Sequence, residues 1–556
     1  MPLLNVSVKH AGKKYDLVLD TDRPATVFKE AIYQKTGVPV DRMKVMVKGG
    51  VLKDDADWKK AGAKEGATFM VIGAAGELPK PPSEPVKFLE DMDESELADA
   101  LGLPVGLINL GNTCYMSATV QAMRAIPELQ SSLAETREAT PLTRSLRDLF
   151  RTMSNTTGGV LPMAFLTSLR DAVPQFGERT NRGYAQQDAE ECWTQLTNRL
   201  KDLPGFPNRD GGAPPRSKFV DQYLSGTIIR EMKTPEAPDE PPSVTSENVL
   251  KIECNINTNT NFMMSGIMDA LDTTVVKQSP TLGREATYSV HTRISRLPTY
   301  LTVHMVRFTW RRDISKKAKI MRKVKFPTEF DALDLTTPEL RAKLLPVARK
   351  LGQIESARFE RRKVRKRTKA PKPAASADVE MRDGTASVEM LGTAVEVVPV
   401  EAETETTAAT VASATQADGV PAGEELLPEE DYRNQEHEEL EKLVDPSVKA
   451  DVGASETGLY DLIAIITHKG AAADAGHYIA FVKKTAILQS RPEFLPKLSG
   501  GASSSSAPLP DSGDDEDWYK FDDDKVSVFP KDKLGTLDGG GEDSSAYVLV
   551  YKSKAI

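Results

Sequence analysis

Along the first 75 or so residues the apolar positions change period twice. Leu4, Val6 and Val8 alternate with polar residues, Ala11-Gly12-Lys13-Lys14 makes a turn, and Tyr15, Leu17 and Leu19 alternate again, which predicts an antiparallel hairpin. From Asp22 to Gly37 the spacing becomes helical, with Val27, Ala31 and Ile32 on one face and Gly37 placed to end the helix. Short strands are predicted around Met43 to Val47 and Thr68 to Ile72, so the order is β-β-α-β-β. Glu77 to Glu96 is rich in Pro, Glu and Asp and predicts an extended linker, within a boundary segment of residues 76–102. A long globular region begins at Leu103.

Two stretches interrupt that region. Between about 355 and 430 a basic run (Arg358, Arg361, Arg362, Lys363, Arg365, Lys366, Arg367) gives way to an Ala-, Thr-, Val- and Glu-rich segment, with no aromatic residue from Glu360 to Asp431. Without large apolar side chains the ordering entropy has nothing to offset it, so the segment is expected to be disordered and its basic run to be a solvated face. The second, residues 497–517, contains Gly500-Gly501 and four consecutive serines and reads as a flexible loop.

Charge and composition mostly exclude. The 556 residues carry 72 Lys plus Arg against 81 Asp plus Glu, a net charge of −9, which gives no global reason to expect nucleic acid as a partner. No apolar run approaches the ~20 residues needed to span a bilayer, and the N-terminus lacks the pattern of a secretory leader, so no membrane partner is expected. Three cysteines with no Cys-x-x-Cys pair fit neither a disulfide framework nor a four-cysteine zinc site. One of them is a candidate for reactivity.

Cys114 follows Gly106, Gly111 and Asn112, which favour a tight loop, and precedes Met116, Val120 and Met123 at helical spacing. A thiol at a loop-to-helix junction is biased towards thiolate by backbone amides and the helix dipole. It needs a base, and there are six histidines. His10, His291 and His437 lie in no motif, and His304 sits in a β-rich run. His468 and His477 flank a small-residue loop; His477, followed by the apolar strand Tyr478 to Val482, has a modest edge because a strand would hold its ring rigidly. Trp518 to Val526 ends an aromatic strand in Asp522-Asp523-Asp524, which offers a carboxylate to orient the imidazole.

These segments resemble the ubiquitin-specific proteases. Gly106 to Ser117 is similar to the family's cysteine box, Gly476-His477-Tyr478 to its histidine box, and Trp518 to Val526 to the segment bearing its third catalytic residue. Gln186-Gln187-Asp188-Ala189-Glu190-Glu191, and Leu297 to Leu301 with Arg307-Phe308 and Val324 to Pro327, resemble two further family motifs, all five in family order. The first 75 residues look like the ubiquitin-like grasp fold without a terminal Gly-Gly, and so like a docking module.

The resemblance implies an α+β protein: a β-grasp ubiquitin-like domain (1–75), then a papain-like catalytic domain with fingers, palm and thumb (103–553). It implies Cys114 as nucleophile, His477 as base and then acid, Asp522 as its orienter with Asp523 in reserve, and Asn109 as oxyanion donor. Asp188, Gln187 and Tyr478 are then expected to bind the substrate's tail. The implied activity is cysteine-dependent hydrolysis after the C-terminal glycine of ubiquitin, without a cofactor; the alternative is a non-catalytic ubiquitin-binding scaffold. The implied partners are ubiquitin conjugates and the 26S proteasome regulatory particle, reached through the ubiquitin-like domain, in cytoplasm and nucleus. Some members hold a structural zinc with two cysteine pairs; Cys254 stands alone in the corresponding region, so a metal-free fingers subdomain is expected.

Overall fold

In the computed structural model the described residues are 3–48, 50–54 without 55, 56, 58, 62–73, 93, 97, 102–181, 183–208, 216–311, 316–369, 426–472, 475–497 and 516–556. They form two compact units, divided between Met92 and Asp93.

In the first unit β1 (Leu4–His10) and β2 (Lys13–Leu19) pair antiparallel with Leu4 opposite Leu19, the hairpin that alternation predicts. Helix α1 (Ala25–Thr36) follows, then β3 (Lys44–Val47), the two-residue β4 (Gly50–Val51) and β5 (Thr68–Ile72). The sheet order is β2-β1-β5-β3-β4, with β5 parallel to β1 at its centre. The helix buries only part of the face the spacing suggested. Ala25, Phe28 and Ile32 enter the core while Val27 is 37% exposed, because the Phe28 ring, stacked edge-on against Trp58 and Phe69, buries more apolar area than a valine would. Gly37 ends the helix in the left-handed conformation (φ 71°), as predicted.

The second unit opens with four helices: α2 (Cys114–Arg124), α3 (Pro127–Glu135), α4 (Pro141–Ser154) and α5 (Met163–Ala172). The small hairpin β6 (Arg179–Thr180) and β7 (Gly183–Tyr184) leads to α6 (Ala189–Arg199) and the short α7 (Phe219–Tyr223). A four-stranded sheet in the order β11-β12-β8-β9 follows, built from β8 (Gly226–Lys233), β9 (Ser243–Val249), β11 (Asp272–Gln278) and β12 (Glu285–Arg296). Between β9 and β11 come β10 (Ile252–Asn255) and α8 (Met263–Leu271).

The central sheet has the path β10-β13-β21-β17-β18-β19-β20. Its remaining members are β13 (Tyr300–Val306), β17 (Leu459–Ala472), β18 (Ala475–Lys483), β19 (Trp518–Asp522), β20 (Lys525–Phe529) and β21 (Ser545–Ser553). The short strands β14 (Phe308–Arg311), β15 (Lys316–Lys319) and β16 (Glu329–Asp331) join at its margin. Every residue of α2 is buried, between this sheet and the other helices, so the element carrying Cys114 is a core helix.

One expectation is corrected. Residues 355–369 are not disordered: α9 runs unbroken over Pro338–Lys369 and pairs with α10 (Glu429–Leu443). Val347, Leu351 and Ile354 pack against Leu440 and Val444 in the first part. Beyond Ile354, charge takes over from apolar packing. Arg358 Nε lies 2.7 Å from Glu436 Oε2, Arg361 reaches Glu436 and Glu429 and stacks over the Tyr432 ring, and Arg365 reaches Glu429 at 2.7 Å. The three arginines recur at helical spacing on one face, and their acidic partners lie on a segment distant in sequence, which a composition-based reading cannot pair. Residues 370–425 and 498–515 of the expected inserts, and the expected linker apart from Asp93, Leu97 and Gly102, fall outside the described residues. Among the described residues no helix is long and apolar enough to cross a membrane.

Candidate active site

The loop before Cys114 is held by backbone contacts, which at Gly106 leave no room for a larger residue. Leu107 N donates to Asp523 O (2.9 Å), while Ile108 and Gly106 exchange hydrogen bonds with Val160. A Cβ on Gly106 would lie 2.5 Å from Asp523 O, so this approach to the β19–β20 turn requires glycine. Gly111 (φ 90°) and Asn112 (φ 52°) then reverse the chain. Asn109 Oδ1 accepts from Gly111 N (2.9 Å), Thr113 N (3.3 Å) and Thr113 Oγ1 (3.1 Å), which shapes the loop from inside. Its Nδ2 donates to Asp523 Oδ2 at 2.8 Å. Cys114 is therefore delivered at the first turn of α2, 3% exposed, where amide groups without helical partners favour negative charge.

His477 comes from the other side of the cleft. Strands β18 and β19 pair antiparallel with Ala480 opposite Phe521, so His477 and Asp522 leave the sheet at the same end. His477 Nε2 donates to Asp522 Oδ1 at 2.7 Å, and Asp523 Oδ2 is farther, at 4.0 Å. With Nε2 so engaged, Nδ1 is the nitrogen left for the thiol. The imidazole is pushed up to about 9, first by its hydrogen bond with Cys114, against burial, and then by Asp522. Burial works against the Asp522 carboxylate, but His477 and Lys520, whose Nζ is 3.0 Å from Oδ2, outweigh it and hold the group below its usual range. Asp523 moves the other way, raised chiefly by burial.

The alternative histidines are separated by burial. His468 is fully enclosed, in edge contact with Phe308 and Tyr478, and neither ring nitrogen has a hydrogen-bond partner. Burial, followed by Lys319 and His477, pushes it down to about 4. His304 is likewise without a partner and is lowered to about 4 by burial. His468 shapes the site from behind: a Cβ on Gly476 would lie 2.2 Å from its Nε2, so the residue before His477 must be glycine.

The residues expected to bind the tail are placed differently from one another. Asp188 caps α6, with Oδ1 accepting from Glu190 N (2.8 Å) and Oδ2 from the Tyr547 hydroxyl (2.7 Å), so its carboxylate is engaged within the protein. The Tyr478 ring is 1% exposed and packs on His468 and Tyr547; a substrate tail cannot reach it, and its part is to support the strand beside His477. Gln187 donates to Gln175 O (3.0 Å), away from Cys114. Its neighbour Gln186 faces the site instead, with Nε2 3.3 Å from Cys114 Sγ and 3.3 Å from Gly476 O. The Gln-Gln pair in the sequence marks the segment. Which of the two faces Cys114 is decided by the fold, which sends their side chains to different partners.

Among the described residues, His477, Asp522 and Asp523 are the group whose donor atoms, within 4.8 Å of one another, could hold a metal ion. His477 and Lys520 already satisfy Asp522, and Asn109 satisfies one oxygen of Asp523. A buried thiol, an imidazole fixed by a carboxylate and an amide-rich helix start form a nucleophile, base and anion-stabilising set for acyl transfer.

Comparison with known proteins agrees with this chemistry. The family model "Ubiquitin carboxyl-terminal hydrolase" matches residues 105–551, and "Ubiquitin family" matches residues 4–75. The chain is 37% identical over 557 residues to ubiquitin carboxyl-terminal hydrolase 6 of Schizosaccharomyces pombe, covering all of both chains. It is 34% identical to ubiquitin carboxyl-terminal hydrolase 6 of Arabidopsis thaliana, with 99% of each chain covered. It is 29% identical to ubiquitin carboxyl-terminal hydrolase 14 of Caenorhabditis elegans over 100% of this chain and 94% of that one. The chain therefore belongs to the ubiquitin carboxyl-terminal hydrolases, thiol-dependent enzymes, and joins their catalytic domain to an N-terminal ubiquitin-like β-grasp domain.

Proposed function

We propose that Cys114 is the nucleophile of this deubiquitinase, His477 its base and acid, Asp522 the orienter of the imidazole and Asn109 an oxyanion donor. The observation that carries this reading is the Asp522–His477 hydrogen bond of 2.7 Å beside the thiol at the start of α2. The thiolate attacks the carbonyl of ubiquitin's C-terminal glycine. Charge moves from sulfur to oxygen, where the second N–H of Asn109 and the first amides of α2 receive it. His477 then protonates the departing amine and afterwards activates the water that resolves the thioester. Glycines at the scissile bond carry no side chains, so specificity comes mainly from binding the folded body of ubiquitin.

The finer part of the proposal is location and regulation. Residues 1–75 dock the enzyme on the 26S proteasome regulatory particle, in cytoplasm and nucleus. Support comes from the ubiquitin-family match and from Met46, Met70 and Ile72, exposed together on β3 and β5. Docking there raises the hydrolytic activity.

The test is ubiquitin release from a fluorogenic C-terminal ubiquitin conjugate, with and without purified proteasome stripped of its own deubiquitinases. Activity is expected to rise with proteasome, to vanish in Cys114→Ala and to lose its stimulation on deletion of residues 1–75. Activity persisting in Cys114→Ala would refute the nucleophile assignment, and undiminished stimulation without residues 1–75 would refute the docking module.

A further inference from the structure

Gln186 touches both halves of the site. Its Nε2 is 3.3 Å from Cys114 Sγ and 3.3 Å from Gly476 O, the carbonyl just before His477. A side-chain amide nitrogen carries two N–H bonds and accepts nothing, so each contact uses one of them. The Gly476 carbonyl fixes the amide from the histidine side, and the second N–H is directed at sulfur. A hydrogen bond to an ion is roughly twice as strong as one to a neutral group, so this donor favours thiolate over thiol.

We propose that Gln186 is a further catalytic residue, which holds the Cys114–His477 pair in its thiolate–imidazolium form by donating a hydrogen bond to the sulfur. The inference rests on the reading of Cys114 as nucleophile. The proton passes from Sγ to His477; the sulfur electron pair forms the S–C bond while the carbonyl π pair moves to oxygen. On collapse the amine leaves with the proton from His477, and Gln186 keeps both its own protons throughout. As the S–C bond forms, charge leaves the sulfur, so Gln186 acts on the resting thiolate and again on the thiolate released when water resolves the thioester. Its removal therefore lowers the fraction of enzyme ready to react and leaves the hold on ubiquitin intact. Among the described residues, His477 and Tyr478 of β18 and Tyr115 of α2 are titratable groups that interact electrostatically with Cys114, with Asp522 and Asp523 acting through His477. None of them changes when position 186 is substituted.

The test uses the full-length protein and measures Cys114 alkylation by iodoacetamide as a function of pH, with the label located by peptide mapping. In Gln186→Ala the midpoint is expected to rise by about one pH unit, which is about tenfold less thiolate below the midpoint. In Gln186→Glu it rises further, because a carboxylate then faces the sulfur. Ubiquitin affinity, measured in a Cys114→Ala background, stays at the parent value in both. An unmoved midpoint in both variants would overturn the proposal. So would loss of ubiquitin affinity in both, since it would assign Gln186 a purely structural part. A label absent from Cys114 in the parent protein would instead sink the nucleophile assignment, a separate failure.

Discussion

Asn109 and Asp523 lie 414 positions apart and are joined by a 2.8 Å hydrogen bond, Asn109 Nδ2 donating to Asp523 Oδ2. Asp523 stands in the left-handed conformation (φ 54°) at the β19–β20 turn, with its backbone carbonyl on Leu107 N and its side chain on Asn109. The turn that follows Asp522 thus supports the cysteine loop as well. On the proposed roles the two adjacent carboxylates divide two tasks: Asp522 holds the imidazole of His477 and Asp523 holds the amide of Asn109.

This division separates the two aspartates kinetically. Asp522→Asn is expected to lower kcat about 100-fold or more, because the imidazolium loses its counter-charge and its tautomer is no longer fixed. Asp523→Asn is expected to cost about tenfold, since Asn109 keeps its three donors to Oδ1 and loses only a charged acceptor. Steady-state hydrolysis of a ubiquitin C-terminal conjugate measures both, and equal losses would contradict the assignment.

His468 and His477 make stability depend on pH in opposite directions. His477 is raised from the usual 6.5 to about 9, so its contribution is complete below about pH 6.5 and is lost as pH rises through about 9. His468 is depressed to about 4, so its contribution is present above about pH 6.5 and is lost as pH falls through about 4. Urea unfolding from pH 4 to 9 is expected to show a flatter alkaline limb in His477→Gln and a flatter acid limb in His468→Phe. Parallel curves for parent and variants would refute both.

Gly476→Ala places a methyl group on the His468 ring and beside Lys469 O. Because the clash displaces the strand that holds His477, the variant is expected to lose at least tenfold in kcat and to melt at lower temperature. Adding His468→Ala should recover part of the activity by opening space behind the new methyl. A double variant no better than the single one would place the damage at the backbone contact.

At the far end of α9, Glu436 is enclosed between Arg358 and Arg361. Glu436→Gln leaves two guanidinium groups facing a neutral amide, a change expected to cost about 3 kcal/mol locally. Hydrogen exchange should increase in residues 355–365 and 429–436, with kcat on a ubiquitin conjugate unchanged. Unaltered exchange would mean that the ion pairs do not hold the two helices together.

Local sequence determined the elements whose causes are local. Alternation wrote the β1–β2 hairpin, Gly37 ended α1, and Gly106, Gly111 and Asn112 wrote the loop that presents Cys114, because turns and periodicities depend on neighbouring residues. The tertiary structure decided whatever depends on what lies opposite in space. His477 has an edge over His468 in the sequence, from the strand that follows it and the Gly476-His477-Tyr478 resemblance, and strand packing then sets it against Asp522 and encloses His468. Asp522 and Asp523 are separated by the turn between β19 and β20, and Gln186 and Gln187 by their partners, Cys114 for one and Gln175 for the other. Arg358, Arg361 and Arg365 found their carboxylates on a helix that begins at Glu429, so residues 355–369, whose composition predicted disorder, are held in a helix by charges that only folding brings together.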